Sequence, residues 1–194
     1  MQDNHVRAGR GKGAKREEKF MNRQAVLFVL GKDRPGIVDD VSTFLFERGA
    51  NIEDSRMATL AGSFSIMILF SCTEEALHTI GGKIDELGKL EFKVSLHETE
   101  ISDDDKFTPS LPLKLEVTAM DNAGIVQKIV RILRRNNVNI RALNTEVTKA
   151  PLSGAPLFGL NLEAAVPAAT SVAAVKGELN GLAAEMNLDL IFKR

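Results

Sequence analysis

Two loops of the 194-residue chain carry residues that could bind a small charged molecule. The loop at 32–38 reads KDRPGIV and the loop at 120–126 reads MDNAGIV. Each glycine precedes an amphipathic segment that is expected to be a helix. Because glycine has no Cβ, a ligand could come close to the start of that helix. The unpaired N–H groups and the positive end of the helix dipole at that point favour a carboxylate. Asp33 and Asp121 could accept a hydrogen bond from an ammonium group. An amino acid offers both charges, and the pattern therefore indicates an amino-acid site.

The two loops belong to a longer internal repeat at a constant offset of 88 residues. Asn51 and Asn139, each just past the helix that follows its loop, fall on one another in the repeat. They could offer a donor and an acceptor to a ligand lodged between two modules. We therefore expect ligand contact from loop and strand residues in both copies: Asp33, Arg34, Gly36, Ile37, Asn51, Ile52, Asp121, Asn122, Gly124, Ile125, Asn139 and Ile140.

A purely structural interpretation of the same loops is equally well supported by the sequence. Asp33 and Asp121 could cap the loop and the helix start through backbone hydrogen bonds, while Gly36 and Gly124 fix the turn. The histidines and Cys72 have no spacing typical of a metal site, and the sequence contains no phosphate-binding loop or nucleophile elbow. We expect neither a cofactor nor catalysis.

The elements that hold these loops follow from hydrophobic periodicity and turn residues. Both halves predict the order βαββαβ. In the first half the expected elements are a strand over 25–31, a helix from Ile37 that ends before Gly49, strands over 51–61 and 64–72 joined by a Gly62-Ser63 turn, a helix over 74–87, and a strand over 91–97. In the second half they are strands from 113 and 157, a helix over 169–186 and a last strand over 188–192, with a longer hairpin loop at 150–156.

This order predicts an α+β protein made of two tandem ferredoxin-like units, each an antiparallel four-stranded sheet with two helices on one face. The expected limits are a disordered basic tail at 1–21, a first domain at 22–98, a linker at 99–111 and a second domain at 112–194. An apolar sheet face or edge that one chain leaves uncovered predicts a homodimer.

Composition argues against nucleic-acid binding, membrane crossing and internal disulfides. A net charge of −1 gives no overall field for nucleic acid, and no apolar stretch is long enough to cross a bilayer. A single cysteine excludes an internal disulfide, and together these features predict a cytoplasmic protein without membrane contact.

The loop KDRPGIV followed by a helix and GANI, repeated as MDNAGIV and NVNI, resembles the ACT domain, a small-molecule regulatory module. The tandem pair without an attached enzyme is similar to the glycine cleavage system transcriptional repressor family. This resemblance covers about residues 22–194 and implies an amino-acid ligand at the loop, with glycine or serine as candidates. It also implies a protein partner such as a transcription factor, without direct DNA binding, because no helix-turn-helix is evident.

Three functions are therefore open. The leading interpretation is a non-enzymatic amino-acid sensor that controls a transcription factor of glycine or one-carbon metabolism through protein contact. A regulatory subunit or remnant of an amino-acid or folate enzyme is the second, since a similar loop precedes the catalytic domain of formyltetrahydrofolate deformylases. The third is a ligand-free dimerisation scaffold.

Overall fold

The computed structural model describes residues 23–99, 109–151 and 153–193, and these group into two compact units, one from each half of the chain. The expected tail at 1–21 lies outside the described residues. The first unit contains β1 (Arg23–Lys32), α1 (Ile37–Phe46), β2 (Asn51–Leu60), β3 (Ser63–Cys72), α2 (Glu74–Lys83), α3 (Asp85–Gly88) and β4 (Lys93–Thr99). The second contains β5 (Ser110–Met120), α4 (Ile125–Arg135), β6 (Asn139–Lys149), β7 (Pro156–Pro167), α5 (Val172–Met186) and β8 (Asp189–Lys193).

Each unit is built on one antiparallel four-stranded sheet, with the strand orders β2-β3-β1-β4 and β6-β7-β5-β8. In β1 the side chains of Ala25, Leu27 and Val29 are buried, and those between them are not. Such alternation means that one face of the sheet packs on the core and the other is left uncovered. The helices supply the rest of each core, so the predicted α+β fold with tandem ferredoxin-like units is confirmed.

Two local predictions in the first unit are wrong. The β2–β3 hairpin turns at Ala61-Gly62 and not at Gly62-Ser63, because a two-residue loop of this kind needs positive φ at both central residues, and these have φ of 49° and 76°. The helix expected over 74–87 is interrupted at Ile84, just after Gly81-Gly82, a pair with low helix propensity.

The last strand of the first unit and the first strand of the second unit both extend into the expected linker. β4 ends at Thr99 and β5 begins at Ser110, so both ends of the expected linker at 99–111 are in strands, and residues 100–108 lie outside the described residues. Pro112 pairs with Ala165 of β7, beyond Lys114, the last residue that pairs with β8. A proline is tolerated there because one side of the strand lacks a partner that would need its N–H.

The hydroxyl of Thr73 caps α2, and its removal has a measurable cost. Thr73 Oγ1 accepts a hydrogen bond from the Ala76 amide at 3.1 Å. We expect Thr73→Ala to lower the free energy of unfolding by about 1 kcal/mol in urea denaturation, because a helix N–H loses its acceptor. Thr79→Ala, in the exposed middle of the same helix, is the matched control. Equal effects of the two substitutions would contradict this capping role.

Candidate functional site

The first loop spans four residues between β1 and α1. Gly36 immediately precedes the helix with φ of 89°, and its carbonyl accepts a hydrogen bond from the Asp40 amide at 2.9 Å. A Cβ added to Gly36 would meet only Arg34 Nη1, at 3.8 Å. Positive φ, and not crowding, is therefore what requires glycine here.

The second loop repeats this geometry between β5 and α4. Gly124 has φ of 93°, and its carbonyl accepts from the Lys128 amide at 2.9 Å. An added Cβ would have no heavy atom within 4 Å. The space beside both glycines is thus free of described protein atoms that would prevent close approach by a ligand.

The helix starts after the two loops differ from those of α2 and α5. Thr73 and Ser171 cap α2 and α5 with side-chain hydroxyls, whereas α1 and α4 have no side-chain cap. The first amides of a helix have no partner within it, so α1 and α4 retain N–H groups that an anion could use.

The aspartates of the two loops are exposed. The amide of Asp33 donates to the Gly62 carbonyl at 2.9 Å, and the amide of Asp121 donates to the Pro156 carbonyl at 3.3 Å. Neither carboxylate accepts a hydrogen bond from any of the described residues. The capping role that the sequence equally allowed is therefore not seen in this part of the chain, and both carboxylates are available to solvent or ligand.

Arg34 forms one wall of a cavity of about 310 Å³ beside the first loop. Its Nη2 lies 2.6 Å from Asp40 Oδ2, and its guanidinium lies 5.3 Å from the centre of the Phe92 ring. The ion pair and the ring together hold the cation in place. The lining contains two cations, two carboxylates and two apolar side chains: Lys32, Asp33, Arg34, Leu90, Glu91 and Phe92.

Asn51 and Ile52 line a different cavity of the first unit, with a volume of 380 Å³. Its remaining lining comes from α1 and the turn after it: Ser42, Thr43, Phe46 and Ala50. The residues predicted for one site in the first half thus divide between two cavities. Leu90, Glu91 and Phe92 were not predicted, because their approach to the loop depends on the pairing of β4 with β1.

The isoleucines after the two glycines lie in the cores. Ile37 is 2% exposed and Ile125 is 1% exposed, so their side chains anchor the helices and only their backbone faces the loops. In the second half Asn122 is exposed, Asn139 begins β6, and Ile140 is half-buried against the core. The second loop has no counterpart of the Arg34 cation, because the equivalent residue is Asn122.

Other potentially reactive groups among the described residues form no second site. Cys72 is completely buried, and this burial raises the pKa of its thiol, which is therefore protonated at neutral pH. The described residues contain no cluster of three or more histidine, cysteine or acidic side chains that could hold a metal ion. They also include no helix that is both long and apolar enough to span a membrane.

Known proteins resemble the first half of the chain and also most of its whole length. Residues 23–97 match the family model of the ACT domain, and the second half repeats the same topology. The chain is 26% identical over 165 residues to the glycine cleavage system transcriptional repressor of Escherichia coli, covering 84% of this chain and 85% of the relative. The first half of the chain therefore contains an ACT domain.

Solved structures share this fold. A crystal structure of a protein of unknown function from Galdieria sulphuraria is 30% identical, with a TM-score of 0.75, and the match covers 88% of this chain and 97% of that one. A structure assigned to a glycine cleavage system transcriptional repressor is 20% identical, with a TM-score of 0.64 and coverage of 88% and 96%, and shows the same fold. The resemblance noted in the sequence is confirmed.

Proposed function

We propose that this tandem ACT-domain protein is a non-enzymatic sensor of a small amino acid. The observation that supports it best is the pair of helix starts without side-chain caps, each preceded by a glycine at positive φ, in the two repeats of one chain. A carboxylate would bind the free amides at the start of α1 or α4. The ammonium group would lie at Asp33 or Asp121, whose carboxylates accept no hydrogen bond from the described residues.

The sensor acts, in this proposal, by contact with a protein partner. Similarity to a transcriptional repressor over most of both chains supports a transcription factor as that partner, and the glycine cleavage system named for the relative supports glycine as the first ligand to test. Serine is the second candidate. We further propose that the protein works as a cytoplasmic homodimer and that the segment 99–111 contains the linker between its two modules.

The two loops would differ in affinity. The first places Arg34 beside the ligand cavity, whereas the second has the neutral Asn122 at the same repeat position. The Arg34 loop would therefore favour the more acidic ligand. Partial neutralisation of Arg34 by Asp40 reduces this preference without removing it.

Calorimetry on a loop variant tests where the ligand lies. We expect Asp33→Ala to weaken amino-acid binding at the first loop by about 1–3 kcal/mol, because the ammonium group of the ligand would lose its hydrogen-bond acceptor. Asp189→Ala, at an exposed position of β8, is the matched control and should leave the affinity unchanged. Full-strength binding by a folded Asp33→Ala variant would place the ligand away from the first loop.

A further inference from the structure

The two sheets differ in the side chains on the face that the helices leave uncovered. The first sheet presents apolar residues there from β1 and β3: Val26, Phe28, Leu30, Met67 and Leu69. At the equivalent places the second sheet presents polar residues: Lys114, Glu116, Thr118, Asn161 and Glu163. The two repeats thus have the same fold, but the side chains at these positions of their outer faces are apolar in one and polar in the other.

The centre of the first face is exposed. Phe28 and Met67 are each 41% exposed, and Leu30 is 46% exposed. The ring of His97 packs edge-on against Phe28, with 5.5 Å between ring centroids. A contiguous apolar centre with polar residues at its rim is typical of a surface that binds another protein.

A second copy of the same face fits this surface better than the second sheet would. The outer face of the second sheet carries the ion pair Lys114–Glu163, with 3.1 Å between Nζ and Oε1, and burying such groups against apolar side chains carries a desolvation penalty. Four strands about 4.8 Å apart and about eight residues long cover roughly 500 Å² per copy. The pair would bury roughly 1,000 Å², the size at which specific interfaces begin.

The charges at the rim select one arrangement of two copies. The strand register places Asp54 of β2 and His97 of β4 at opposite ends of one cross-strand row, and Arg56 in the next row, level with Phe28. A two-fold axis parallel to the strands lays β2 of one copy over β4 of the other, so Asp54 faces the second copy's His97 twice. An in-plane axis across the strands would instead oppose the two copies of Arg56. Asp54 pairs with Arg56 of its own chain, so its contact with His97 would add to that ion pair.

We infer that the outer face of the first sheet, centred on Phe28 and Met67, is the interface of a two-fold homodimer in which Asp54 faces His97 of the other copy. This inference rests on the proposed homodimer and is independent of amino-acid binding. The outer face of the second sheet stays outside the interface.

Light scattering on the full chain over a concentration series tests the interface. The wild type should have twice the chain mass of 21.2 kDa. Phe28→Glu should raise the dimer dissociation constant by at least about 100-fold, because it buries a charge at the centre of the interface. The variant should fold, since Glu116 occupies the same position in the second repeat. Thr118→Glu, on the outer face of the second sheet, is the control and should leave the dimer unchanged.

The outcomes separate the interface from the homodimer itself. A dimer that persists in Phe28→Glu would overturn this interface while leaving the homodimer in place, and a wild type that is monomeric at high micromolar concentration would overturn both. A charge exchange measured at pH 6 tests the axis. Asp54→His should weaken the dimer and the double variant Asp54→His/His97→Asp should restore it. Failure of this rescue would overturn the two-fold arrangement.

Discussion

Replacing Gly36 by valine is expected to abolish amino-acid binding at the first loop. A β-branched residue at φ of 89° is a backbone outlier, with an expected cost of about 1–3 kcal/mol in the free energy of unfolding. The side chain would also stand where a carboxylate has to reach the first amides of α1. Calorimetry with an amino acid that the wild type binds, together with urea denaturation, measures the two effects separately.

Gly154→Val is the control for this substitution. Gly154 also has positive φ, 69°, has no neighbouring atom where a Cβ would be placed, and lies in the β6–β7 hairpin. It should show a similar loss of stability with unchanged binding. Full-strength binding by a folded Gly36→Val variant would show that the ligand does not use the start of α1.

The second large effect is expected in the core of the first unit. Phe70 on β3 is completely buried, and Phe70→Ala should lower the free energy of unfolding by about 3–5 kcal/mol because it leaves a large cavity. Phe46 is the matched control, since the same side chain at the end of α1 is 80% exposed. Phe46→Ala should change stability by less than about 0.5 kcal/mol in urea denaturation. Similar losses in both variants would contradict the packing described for this face of the sheet.

Much of the fold was predictable because the same hydrophobic periodicity and the same turn glycines occur in both halves of the chain. The βαββαβ order follows from periodicity in either half alone, and the match of Gly36 to Gly124 predicts equivalent helix starts. Gly49 was expected to end the first helix, and it has φ of 76° with its amide donating to the Phe46 carbonyl. These are local features, and local sequence determines them.

Features that depend on contacts between distant segments were not predictable. Phe92 reaches Arg34 because β4 pairs beside β1, and Gly31 makes room, since a Cβ there would lie 2.5 Å from the Phe92 ring. The strand position of Pro112 likewise depends on where β8 stops pairing with β5. The sequence shows the glycine and the proline. It does not show that the Phe92 ring lies against the glycine or that β8 ends before it reaches the proline.

The asymmetry of the repeat gives the two halves different roles. The first loop has the cation of Arg34, and the first sheet has the apolar face centred on Phe28. The second half has a neutral loop residue and a charged face at the equivalent positions. We therefore expect the first module to favour the more acidic ligand and to form the dimer interface.

A thermal-shift screen of the twenty amino acids on the wild-type chain tests the proposed sensor most directly. A ligand at 100 times its dissociation constant should stabilise the protein by about 2.7 kcal/mol, which is a clear rise in melting temperature. We predict such a rise with glycine or another small amino acid, and its reduction in Asp33→Ala. No rise with any of the twenty would contradict amino-acid sensing and leave a ligand-free dimerisation scaffold.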